Sequence, residues 1–219
     1  MRNSLLFGVG GLILGAIIGF YAANSINRSS VIAGGQDPLT AAGIPNSNSA
    51  AMGDVTETLD RADNEPQNFA AQMMAGDMFA RIGNFDRAIE YYTRGLSLQP
   101  DDPAGNLVIA NAYFDSGKFE QAGDHYAKVL AADPENIAAR SDLATTFVQR
   151  PQPDHARAIA EFNKVLESDP NHEPTLYNLA IAHHRKGDIN AAQDMAARLE
   201  KAHPQSPLID KLRQNMEAK

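Results

Sequence analysis

Four prolines, Pro100, Pro134, Pro170 and Pro204, stand 34, 36 and 34 residues apart, and the sequence between them repeats. Self-similarity at such a period specifies a row of stacked supersecondary units, because each unit can bury its apolar face only against a neighbour. Aligned on the prolines, residues 69–102 and 103–136 superimpose without a gap. Residues 137–172 carry two extra residues in the stretch RPQPDH, and residues 173–206 return to a length of 34.

The repeated positions carry a packing scheme. A small residue occupies the eighth position (Gly76, Ala110, Ala144, Ala180) and an alanine the twentieth (Ala88, Ala122, Ala158, Ala192), counted without the insertion. Small side chains let two helices approach closely. Larger ones fill the space between them: Phe79, Tyr113, Phe147 and His183 at the eleventh position, and Tyr92, Tyr126, Phe162 and Ala196 at the twenty-fourth. Gly83, Gly117 and Gly187 suit the position just past a helix end, where a positive φ is wanted, and the prolines stop the second helix. Each unit therefore reads as a helical hairpin.

With these positions in register, residues 69–206 resemble the tetratricopeptide repeat (TPR) family over about two thirds of the chain. The resemblance implies an all-α solenoid of four repeats: 69–102, 103–136, 137–172 and 173–206. The third departs from the pattern, with Pro151 and Pro153 in place of the turn glycine, so a longer, displaced turn is expected there. After Ser206, Pro207 can open a helix with Leu208, Leu212 and Met216 four apart and Ile209 beside them. A capping helix over 207–218 is expected to cover the last apolar face. Ahead of the repeats, Asp54 and Glu57 fit a capping box, placing Val55, Leu59 and Ala62 on one face of a leading helix over 55–64. The TPR domain is expected to span 55–219.

In that family the first helices line a concave groove that holds a peptide or helix, at positions two, five, nine and twelve. The resemblance therefore implies a partner-binding groove of Met73, Asp77 and Ala80; Leu107, Asn111 and Phe114; Ser141, Thr145 and Val148; and Tyr177, Ile181 and His184, with Ala70, Ala104, Ala138 and Pro174 at position two. Family members that clamp the C-terminal carboxylate of a chaperone use Lys and Arg in the groove. The aligned positions here hold Met73, Asp77, Asn111, Ala138 and Asp142, of which only Asn111 agrees, so that activity does not carry over. A mostly apolar or neutral lining suits an amphipathic helix or a hydrophobic strand. The competing reading is that these side chains pack only against each other or against the 55–64 helix.

Composition narrows the chemistry. With no cysteine, a thiol nucleophile, a Zn–thiolate site, an iron–sulfur cluster and a disulfide framework are excluded. A net charge of −8 has the wrong sign for neutralising phosphates, so no nucleic-acid partner is expected. His183 and His184 are adjacent, about 100° apart on a helix, and cannot share a metal as an i, i+4 pair could. No GxSxG, HExxH, GxxxxGK[ST] or GxGxxG motif occurs. The chain reads as a non-enzyme with no catalytic residue, no metal site, no cofactor and no small-molecule substrate.

The N-terminus is of another kind. Leu5 to Ala23 is a run of 19 uncharged, mostly apolar residues, about 28 Å as a helix, enough to cross a bilayer. Gly11, Gly15 and Gly19 recur every four residues and would form a smooth face for helix packing in the membrane; glycine is also simply frequent in such helices. Residues 1–28 read as an N-terminal transmembrane signal anchor. A cleaved signal peptide competes with this, given Arg2 ahead of the run and small residues at Ala23-Asn24-Ser25, but the run exceeds the usual h-region. Arg2 and the α-amino group outweigh Arg28, which favours a cytoplasmic N-terminus and a periplasmic or otherwise extracytoplasmic TPR domain on a single-pass inner-membrane protein. Residues 29–54, rich in Ser, Asn, Gly, Ala and Pro, read as a flexible linker.

Two functions follow as expectations. The first is a membrane-anchored adaptor or scaffold that binds an apolar or amphipathic segment of a partner protein and assists assembly or maturation of a membrane or periplasmic complex. The second is a structural subunit docked into a larger membrane complex through its Gly-faced transmembrane helix.

Overall fold

A computed structural model describes residues 47–217, with side chains described from residue 55 onward. Ten α-helices and no strand occur among the described residues: α1 (Ser47–Asn64), α2 (Phe69–Arg81), α3 (Phe85–Leu98), α4 (Pro103–Asp115), α5 (Phe119–Ala132), α6 (Ile137–Gln149), α7 (His155–Ser168), α8 (Glu173–Lys186), α9 (Ile189–Ala202) and α10 (Leu208–Glu217). The pairs α2–α3, α4–α5, α6–α7 and α8–α9 are the four hairpins, and each first helix also packs on the second helix of the preceding hairpin. First helices approach one another, α2 with α4 and α6 with α8, and so line the inner face of the stack.

Local chemistry fixes the element ends. Asn68, Asp102 and Asn136 immediately precede their units, and each accepts a hydrogen bond on its side chain from the backbone N–H three residues on. Such caps are each worth about 1 kcal/mol. Each second helix stops within two residues of its proline. Gly83, Gly117 and Gly187 adopt φ of 74°, 76° and 91°, the left-handed turn expected of them. In the third unit the connection between α6 and α7 is longer, as the insertion implied. Its closing bond is nevertheless retained: Asp154 N donates to the eleventh-position carbonyl of Phe147 at 2.8 Å, as Asn84 N does to Phe79 and Lys118 N to Tyr113. The two extra residues bulge outward as loop.

The small positions form the spine of the core. All of the twentieth-position alanines, and the alanines at position eight, are fully buried, with Tyr92, Tyr126 and Phe162 at 2% exposure or less packed beside them. A second pairing joins the hairpins at positions four and twenty-three. Asn106 meets the His125 ring at 2.8 Å, Arg140 pairs with Glu161 at 2.8 Å, and Leu176 and Met195 lie in one apolar cluster. Asn106 and Arg140 also donate to the carbonyls of Pro100 and Pro134, so the groups freed where the second helix ends are satisfied by the next unit.

The leading helix differs from expectation at its start. It begins at Ser47, upstream of the Asp54–Glu57 capping box, where Ala50, Ala51 and Met52 are good helix formers, and it runs on through Gly53. Its far end docks as expected: Ala62 and Leu59 pack with Ala71, Ala75 and Tyr91, while Gln72 Nε2 donates to Ala62 O and Asp63 accepts from both Tyr91 and Arg94. Val55, placed on the same face, is 43% exposed. No helix among the described residues is long and apolar enough to cross a membrane. The Leu5–Ala23 run, with Gly11, Gly15 and Gly19, lies outside the described residues.

Candidate functional site: the inner face of the first helices

The twelve groove positions divide into an open group and a covered one. Met73, Asp77, Ala80, Leu107, Asn111 and His184 are half-buried, whereas Phe114, Ser141, Thr145, Val148, Tyr177 and Ile181 are buried. The burial of the latter six has a physical cause at each position. Phe114 is fully buried, packing edge-to-face on Phe119 with ring centroids 5.2 Å apart. Thr145 donates to Ser141 O at 2.8 Å and accepts from Asn178 at 3.4 Å, and the Ser141 hydroxyl lies 3.4 Å from that of Thr175, so α8 closes over α6. Val148 belongs to the apolar cluster of the third and fourth units. Tyr177 and Ile181 share that cluster with Ile209, Leu212 and Met216 of α10, and Asn215 Nδ2 donates to Tyr177 Oη at 3.1 Å.

The polar side chains that the first two units contribute to the open group, Asp77 and Asn111, are already engaged. Tyr92 Oη donates to Asp77 Oδ1 at 2.6 Å, and Tyr126 Oη donates to Asn111 Oδ1 at 2.7 Å, one repeat later. Burial, reinforced by the Asp77 carboxylate, pushes the Tyr92 phenol far above its ordinary value. Asn111, the single position that agreed with a carboxylate clamp, is thus spoken for inside its own hairpin. What the open half offers a partner is apolar surface: Met73 and Leu107, with exposed Ala70, Ala104 and Ala138 beside them. Met74, 54% exposed, extends this strip and was missed in the sequence. It lies four residues after Ala70 and three before Asp77, hence on the same helical face, and that spacing was its available signal. No group of three or more His, Asp or Glu that could hold a metal occurs among the described residues.

Hairpins stacked with their first helices on one inner face define a helical solenoid. Two tetratricopeptide repeat profiles match the sequence, one over residues 79–124 and 152–216 and the other over 107–173. The chain belongs to the tetratricopeptide repeat family. No curated protein matches it by sequence. Among solved structures, it resembles a TPR protein from Parabacteroides merdae ATCC 43184 (TM-score 0.67, 21% identity, 76% of this chain and 67% of that one). It also resembles MamA from Desulfovibrio magneticus RS-1 (TM-score 0.62, 16% identity, 75% and 99%) and a thermophilic TPR protein from Thermus thermophilus (0.55, 15%, 68% and 84%). At these identities the likeness is one of fold.

Proposed function

We propose that this chain is a membrane-anchored adaptor whose inner face binds an amphipathic helix of a partner protein and so assists assembly of a membrane or periplasmic complex. The single observation that carries the binding half is the open apolar strip of Met73, Met74 and Leu107 on the first two units, whose neighbouring polar groups are already satisfied internally. An occupant of such a strip gains by burying carbon rather than by pairing charge. The anchoring half is supported by the 19-residue uncharged run, and the extracytoplasmic placement of the repeats by Arg2 together with the α-amino group outweighing Arg28.

Two experiments test this reading. The full chain should remain with membranes after a carbonate wash; a soluble product beginning near Ile26 would mean that the segment is removed. Crosslinking in membranes should then retrieve a partner from wild type but not from Leu107→Glu. Retrieval that instead depends on Gly11, Gly15 and Gly19 would favour the alternative, a subunit docked through its membrane helix.

A further inference from the structure

The C-terminal helix does not sit where the solenoid would continue. Beyond its own hairpin, each first helix packs chiefly on the second helix of the hairpin before it: α4 on α3, α6 on α5, α8 on α7. By that rule α10 should lie on α9, yet it packs chiefly along α8. It is thereby shifted toward the inner face, where Ile209 and Leu212 are buried with Tyr177 and Ile181 and Asn215 bonds the Tyr177 phenol. Fifth-position Met73 and Leu107 are half-exposed at the other end of the face, whereas Tyr177 is 7% exposed.

We infer that α10 is a groove ligand carried in cis. It is an amphipathic helix held on the α8 end of the partner face, to be exchanged for a partner helix presenting a similar stripe: apolar side chains spaced as Leu208, Ile209, Leu212 and Met216, and an amide donor spaced as Asn215. The inference rests on the reading of this face as the partner site, and makes the C-terminal end of that site self-occluded.

The attachments of α10 suit an exchangeable element. At ten residues it falls below the roughly 12–15 that a helix needs to persist alone in water, so it is ordered by its seat. Its polar links are few. Asn215 bonds Tyr177, Arg213 pairs with Glu200 at 2.8 Å with both side chains largely in solvent, and Ser206 bonds Glu173 at the hinge. Its outer face, with Asp210, Arg213, Gln214 and Glu217, is exposed. A segment tethered through so short a connection has an effective concentration of about millimolar, enough to fill the seat at rest without excluding a tighter partner helix.

The test requires no knowledge of the partner. A fluorescein-labelled peptide of residues 205–219 is titrated into the full chain and into full-length Leu212→Asp, which cuts the main apolar anchor of α10 but alters no residue of α8. Hydrogen exchange on Leu212→Asp is expected to show protection lost over 208–217 and kept over 69–202. The peptide is expected to bind Leu212→Asp at least tenfold more tightly than wild type, and a peptide carrying the same Leu212→Asp change should not bind. Equal binding to both chains, or none to a folded Leu212→Asp, overturns the inference. Loss of protection throughout α8 and α9 in both Leu212→Asp and the milder Leu212→Ala also overturns it, since α10 would then be part of the indivisible core. The adaptor reading fails by a different result, unchanged partner crosslinking in Leu107→Glu.

Discussion

Tyr92 and Asp77, fifteen positions apart, are joined by a hydrogen bond of 2.6 Å that ties the second helix of the first hairpin to its first, and Tyr126 and Asn111 repeat it at 2.7 Å. The third unit lacks the phenol, having Phe162, and there Thr145 turns its hydroxyl to its own backbone at Ser141. The ninth and twenty-fourth positions thus vary together because they form one bond. Tyr92→Phe should lower the unfolding free energy by about 1–2 kcal/mol and Tyr126→Phe by about 1, the former more because it deprives a carboxylate. Urea denaturation of the two variants checks the order.

The same contact makes the array sensitive to alkali. Burial first, then the hydrogen bond and charge of Asp77, raise the Tyr92 phenol in the folded state; the Tyr91 and Tyr177 phenols are raised too, chiefly by burial. A raised folded pKa contributes stability that is full below the unfolded value of about 10 and is lost as pH climbs beyond it. The urea midpoint should therefore fall above about pH 10, and fall less steeply in Tyr92→Phe.

Acid acts through a different set of groups. Burial lowers His125, His155 and His172, so their contribution is full above the unfolded value of about 6.5 and is lost as pH falls below it. His172 stands where the other units have Asn68, Asp102 and Asn136, and it makes no side-chain cap to α8. His172→Asn exchanges the 2.8 Å bond between His172 Nδ1 and the Thr175 hydroxyl for a backbone cap of similar worth, so stability at pH 7 should change by under about 1 kcal/mol while the decline between pH 7 and 5 flattens. Melting curves across that range check both.

Close approach has a graded cost. A Cβ on Gly76 would lie 2.4 Å from two carbons of the Tyr92 ring, which is rigid and fully packed, whereas on Gly95 its nearest neighbour is the Met73 sulfur at 2.7 Å, the mobile part of a flexible side chain. Gly76→Ala should cost about 1–3 kcal/mol, and Gly95→Ala well under 1 because Met73 can swing away and alanine favours the helix. Equal costs in thermal denaturation would show that Met73 is as fixed as the ring.

Two residues at one repeat position should respond unequally to the same change. Leu107→Glu places its carboxylate at a half-open site and should cost under about 1 kcal/mol, whereas Tyr177→Glu puts one beneath α10 and should cost about 3. Circular dichroism melts of both separate a free position from a covered one.

Much of this was written in the chain. The 34-residue period, the small spine from Gly76 to Ala192, the turn glycines and the stopping prolines are local requirements, met by side chains whose partners lie within the same hairpin. Spacing therefore sufficed to read the hairpins, the longer third turn and the C-terminal helix. The pairing of positions four and twenty-three was also present, as Asn with His and Arg with Glu, but its meaning needed the two helices side by side. Which inner-face positions stay open could not be read from repeat position at all. Tyr177 and Leu107 are equivalent in sequence, yet Tyr177 lies beneath α10 and Leu107 does not. Side-chain type and local spacing determined the hairpins; exposure, and with it the usable part of the partner face, was decided by which helix packs over each first helix, α8 over α6 and α10 over α8, the latter a contact between residues 38 apart.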